Sequence, residues 1–153
     1  MPAETGWRIA IEQIELGHAR IDWRDATTRP ATALRIDALD LSLQKLRWPV
    51  EAPSPVKLAG RLAPLAGDGD AARGEPASFT AQGEASHRAA KLALELKALD
   101  LHWLAPYVAQ ALLPQLDGRV SLASTLDWAD GDAPRLALSQ LTATAEGLRV
   151  SEA

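Results

Sequence analysis

Along most of this chain apolar residues alternate with polar ones. That period of two restricts it to strands that bury one face. Trp7, Ile9 and Ile11 alternate with Arg8, Ala10 and Glu12. Ala19, Ile21 and Trp23 follow a turn signal at Gly17-His18, and Asp25 to Pro30 form a polar break. Leu34 and Ile36 open a run that Leu39, Leu41 and Leu43 continue, and Leu58, Gly60 and Leu62 lie between Pro55 and Pro64. Phe79, Ala81, Gly83 and Ala85 alternate, as do Leu92, Leu94 and Leu96. Val120, Leu122, Leu126 and Trp128 share a face, and an acidic turn at Asp130-Gly131-Asp132 leads to Leu136 and Leu138. The stretch 66–76, with Gly67, Gly69 and Gly74 among acidic residues, reads as a loop. The pattern predicts a mainly β fold of antiparallel strands, with 1–153 as a single β-rich segment.

The alternation slips by one residue at four places: Ile11/Ile14/Leu16, Ile36/Leu39/Leu41, Leu96/Leu99/Leu101 and Leu138/Leu141. Two of these nearly repeat, Ile36-Asp37-Ala38-Leu39-Asp40-Leu41 and Leu96-Lys97-Ala98-Leu99-Asp100-Leu101. A slip throws every later side chain onto the wrong face unless a bulge absorbs it. Repeated bulges would bend the strands and curl the sheet. The alternative is that each slip marks a strand end and a tight turn. Only one stretch has helical spacing: within 103–113, Leu104, Tyr107, Val108, Ala111 and Leu112 recur every three or four residues. Pro106 suits the first turn and Pro114 the end. This helix is expected to cap one end or edge of the sheet through Leu104, Tyr107, Val108 and Leu112.

The chemistry-bearing residues form no recognisable constellation. The three histidines, His18, His87 and His102, lie far apart, without the spacing of a metal site or a triad. Neither Asp68, Asp70 and Glu75 nor Asp127, Asp130 and Asp132 has the spacing of a calcium loop, and Asp-Gly pairs are ordinary turn formers. There is no nucleophile elbow, phosphate loop or dinucleotide fingerprint. No cysteine is present, which excludes disulfides and thiolate metal sites. The net charge is −4 and basic residues occur singly, so no footprint for nucleic acid is visible. These observations point to a chain without catalytic residues, metal or cofactor. An enzyme would require His18, His87 or His102 to converge with carboxylates in a cleft.

The apolar side is the remaining candidate. Trp7, Ile9, Ile11, Ile21, Trp23, Leu39, Leu41, Leu94, Leu96, Leu122 and Leu126 are expected to point to it. One short helix cannot cover so many strands. Either the sheet folds onto itself, as in a closed sandwich that serves as a structural or protein-binding module, or part of the face stays open to a ligand. An acyl chain would need no polar partner there. On that reading Ile9, Ile11, Ile21, Leu39, Leu41, Leu94, Leu96, Leu122 and Leu126 face lipid.

The order of elements resembles the AsmA superfamily, which includes the TamB-like and YhdP-like proteins of Gram-negative envelopes. The resemblance rests on Trp7-Arg8-Ile9, on Ile21-Asp22-Trp23-Arg24-Asp25, and on the Ile36 to Leu43 run. It continues through Ala98-Leu99-Asp100-Leu101, Leu104-Ala105-Pro106-Tyr107 and Asp117-Gly118-Arg119-Val120-Ser121-Leu122. It implies an incompletely closed, groove-like β-structure in the periplasm, tethered to the inner membrane and concerned with phospholipid movement and envelope integrity. Phospholipid and neighbouring segments of a parent protein would be its partners. The family defines no catalytic residues. No apolar stretch approaches the roughly 20 residues that span a bilayer, and Met1 to Gly6 lacks the layout of a signal peptide. An anchor would therefore lie outside this chain, which is expected to be a segment of a longer protein.

Overall fold

A computed structural model describes residues 6–28, 31–50, 52–65, 75–108 and 115–151. Among them seven strands form one antiparallel sheet in which each strand pairs with its neighbours in sequence. They are β1 (Ile9–Asp25), β2 (Thr32–Trp48), β3 (Ser54–Pro64), β4 (Ala77–Ala85), β5 (Ala89–Asp100), β6 (Gln115–Ala129) and β7 (Arg135–Ser151). The sheet is not closed, so β1 and β7 are its edges. The mainly β expectation holds, and the closed sandwich does not. Loop 66–76 lies outside the described residues apart from Glu75 and Pro76, which precede β4 without regular structure.

The hairpin ends are built by local polar side chains, which explains why the sequence breaks where it does. The Ser86 hydroxyl accepts the Arg88 and Ala89 N–H groups, closing the β4–β5 turn. The Asp25 carboxylate accepts the Thr27 N–H at 2.8 Å, and the buried Thr28 hydroxyl accepts the Thr32 N–H at 2.9 Å across the β1–β2 turn. Asp130 accepts the Gly131 N–H, and its own N–H donates to the Arg88 carbonyl, joining two turns at the same end.

Three of the four slips are bulges inside continuous strands. The β2–β3 register shifts between Asp37 and Asp40, the β5–β6 register between Leu96 and Leu99, and the β6–β7 register between Ala123 and Thr125. At each stands a non-glycine residue in the left-handed region: Ala38 at φ 47°, Ala98 at φ 56° and Gln140 at φ 51°. The extra residue is absorbed there and the leucines return to their face. At Ile11/Ile14 no register shift occurs. Ile11 pairs with Leu46 and Ile14 with Leu43, while Lys45 opposite is left-handed. Both strands step by three together, so the register is kept although the step is odd.

Gly17-His18 is corrected from a turn to a fourth bulge. β1 runs through it unbroken, with His18 at φ 55°. A bulge and a turn begin with the same left-handed residue, and only the partner strand distinguishes them. The N–H groups displaced by bulging find side chains: His18 donates to Asp40 Oδ1 at 2.9 Å, and Ala98 to Ser121 Oγ at 3.1 Å.

The helical segment starts two residues earlier than expected, as a 3-10 turn η1 (Leu101–Leu104) followed by α1 (Ala105–Val108). Asp100 caps it by accepting the His102 N–H at 2.9 Å, which explains the early start. Residues 109–113 of the expected helix lie outside the described residues, as do the side chains of Val108 and Leu112.

Candidate functional site

Paired residues of an antiparallel ladder share a face, so the register sorts every side chain. One row runs Ile14–Leu43–Val56–Gly83–Leu92–Leu126–Leu138 from edge to edge. The next contains Leu16, Leu41, Leu58, Ala81, Leu94 and Ser124, and a further row ends on Phe79–Leu96–Leu122–Ala143. Leu39 and Phe79 close over Gly60, where an added Cβ would stand 2.6 Å from Phe79 Cζ. The row Ile21–Ile36–Leu62–Ala77 continues the same side, as do the pairs Leu99–Val120 and Trp23–Leu34. Only Ser124 interrupts an otherwise apolar surface in these rows.

Seven of the nine residues expected to face lipid lie on this side by register. Ile21, Leu39, Leu41, Leu94, Leu96, Leu122 and Leu126 sit within the rows; the Ile11–Leu46 and Ile9–Trp48 pairs lie beyond a three-residue step from Ile14–Leu43, which the register does not assign to this side. Most are half-buried; Ile9 and Ile21 are exposed at the β1 edge, as are Trp7 and Trp23. The opposite side is polar. It carries the Arg35–Asp22 pair at 2.7 Å, Arg61–Asp37 at 3.3 Å and Lys97–Glu95 at 3.3 Å. The two-pronged bond from Arg35 holds the Asp22 carboxyl below its ordinary range and raises the Arg35 guanidinium in turn. Exposed pairs of this kind add little stability and serve mainly to keep this face in water. A depression of about 470 Å³ lies on the same polar side, over Ala59, with Glu15, Ser42, Lys57, Gln82, Asp40 and Thr80 around it.

One end of the apolar side is stopped by the helical segment. Trp103, 8% exposed, packs with Ala77 and Leu99 to form the buried core, with Leu34, Leu62, Leu96 and Leu104 around it. Tyr107 stacks on Trp23 at 6.3 Å between ring centroids, and its hydroxyl donates to Asp25 Oδ2 at 2.9 Å. The segment leaves β5 and reaches β1, so it crosses the end of the sheet and ties the β1 edge down. Asp25 is held below the usual carboxylate range first by the Thr27 hydroxyl, then by the Thr27 N–H and the Tyr107 hydroxyl. Desolvation, followed by the bond to Asp25, raises the Tyr107 phenol and keeps it a donor. Leu104 and Tyr107 were legible as the packing side of the helix. Trp103, its most buried member, is absent from the expected packing side although it stands four residues before Tyr107; its burial depends on Ala77 and Leu99 of other strands, which no local spacing shows.

The three histidines stay apart from one another, but His102 does meet carboxylates in a cleft, the arrangement that an enzyme would require. His18 sits in the β1 bulge, His87 in the β4–β5 turn at one end of the sheet and His102 in η1 at the other. His102 Nδ1 stands 3.6 Å from Asp117 Oδ1, beside a cleft of about 530 Å³ that also meets Asp100, Arg119 and Glu146. Among the described residues no three His, Asp or Glu side chains are grouped to hold a metal ion. No family model matches the chain, and no curated protein or solved structure matches it.

Proposed function

We propose that the chain is a non-catalytic segment of a periplasmic, inner-membrane-tethered envelope protein, and that its apolar face holds phospholipid acyl chains. The observation that carries this reading is an open sheet with leucine, isoleucine and alanine rows across all seven strands, covered among the described residues by a helical segment at one end. A soluble domain normally buries such a surface or reserves it for a partner. Acyl chains suit it because they demand no polar group, and nearly none is offered. The resemblance to groove-forming AsmA-like proteins supports the compartment and the tether, both of which are part of the proposal. Binding by one segment is expected to be weak, because each Å² of apolar contact contributes only about 25 cal/mol before the cost of association.

Displacement of a fluorescent fatty acid, free in solution, tests the reading. The chain should bind the probe, and Leu94→Asp or Leu122→Asp should abolish binding, because a carboxylate against acyl chains is strongly disfavoured. Circular dichroism must show the strands intact in each variant. A folded chain that binds no acyl probe over a broad panel would instead be a structural module whose edges pair with neighbouring segments.

A further inference from the structure

The five tryptophans are divided between the two ends of the sheet. Trp23 and Trp103 belong to the stopped end. At the other end stand Trp7, 86% exposed, Trp48, 60% exposed, and Trp128. Trp48 pairs with Ile9, and Trp128 with Ala90 and with Leu136, itself 69% exposed. At Trp128 this aromatic rim is continuous with the apolar rows through Leu92–Leu126. Indole has an apolar body and a polar N–H, the combination that settles at a membrane–water interface.

The charges fit the same surface. Arg8 lies between Trp7 and Ile9, Arg47 precedes Trp48, and Arg88 and Arg135 stand at the neighbouring turns. Among the described residues the acids at this end are Glu12, Glu84, Asp127, Asp130 and Asp132, with Lys91 opposite both Glu84 and Asp127 in the ladders. Glu12 meets Arg47 only loosely, at 3.9 Å, with both side chains more than half exposed. Arginines beside tryptophans at a rim match phosphate oxygens above an acyl layer.

We propose that the tryptophan-rimmed end of the sheet docks onto the surface of a phospholipid bilayer. This deepens the lipid reading and rests on it: a chain leaving a bilayer there reaches the apolar rows without crossing water, whereas Trp103 and Tyr107 block the other end.

Flotation of the whole chain with phosphatidylcholine vesicles, and with mixed phosphatidylcholine and phosphatidylglycerol vesicles, tests the docking. The chain should float with both, and better with the anionic mixture. Trp7→Ala combined with Trp48→Ala should weaken flotation by about tenfold or more, since both indoles lose their buried area. Arg8→Glu with Arg47→Glu should remove the gain from phosphatidylglycerol and leave the rest. If the double tryptophan variant misfolds, Trp7→Ala alone carries the test, because Trp7 packs on too little to affect folding. Flotation unchanged by the tryptophan substitutions, no flotation at all, or concentration-dependent self-association through this end in place of flotation each overturns the proposal. The two lipid claims fail separately. Trp7→Ala with Trp48→Ala should still bind the free fatty-acid probe, and Leu94→Asp should still float.

Discussion

Ala38 and Ala98 hold the same place in two nearly repeated hexapeptides and take the same left-handed conformation at φ 47° and 56°. That region costs an ordinary L-residue about 1–2 kcal/mol, and glycine avoids the cost. Glycine also loosens the unfolded chain, which offsets about 0.4–1 kcal/mol. Ala98→Gly is therefore expected to leave stability unchanged or raise it. Ala93→Gly, in the regular part of the same strand, should cost about 0.5–1 kcal/mol. Urea unfolding of the two variants checks the contrast. A second residue-scale expectation concerns Asp25, whose carboxyl is held below its ordinary range by Thr27 and Tyr107. Its folded value lies below its unfolded value, so its contribution is fully present at neutral pH. It is lost as the pH falls through the acidic carboxylate range. Tyr107→Phe removes one of the three bonds and should flatten the acid side of a stability-against-pH curve without altering the slope near neutrality.

At the scale of elements, the helical segment acts through Trp103 more than through its length. Trp103→Ala empties the only buried cluster among the described residues and should cost about 3–5 kcal/mol. Leu104 is half-buried and should cost less. Thermal melts of both variants measure the difference, and equal losses would mean that the helix rather than the indole holds the end. Alternation made β1 to β7 legible because each strand has one wet face, so the period survives in nearly every run. Strand lengths were less legible. Gly17-His18 and the leucine slips have the same local appearance whether the chain turns back or bulges, and the answer lies in a partner strand many residues away. The stop at the end of the sheet was half legible. Leu104 and Tyr107 showed the packing side, but the contact of Tyr107 with Trp23 and Asp25 joins elements that no local pattern connects.

As a whole the described residues form a two-faced sheet with one end stopped and the other rimmed with tryptophan, and among them no further strand pairs with β1 or β7. β7 is exposed along its length, including Leu136, Leu138, Leu141, Leu148 and Val150. An uncovered edge of this kind invites pairing with a further strand. In the proposed reading the apolar face takes the ligand, while the polar face keeps its exposed ion pairs in water. The most direct test of that assignment uses fatty acids brominated along the chain, whose bromine quenches indole emission only at contact distance. In a variant keeping Trp103 as its sole tryptophan, an acyl chain lying along the strands and across the leucine rows should quench the emission most when the bromine sits near the methyl end, against the helical stop. A folded protein whose Trp103 emission is unaffected by bromine at any position along the chain would contradict the account.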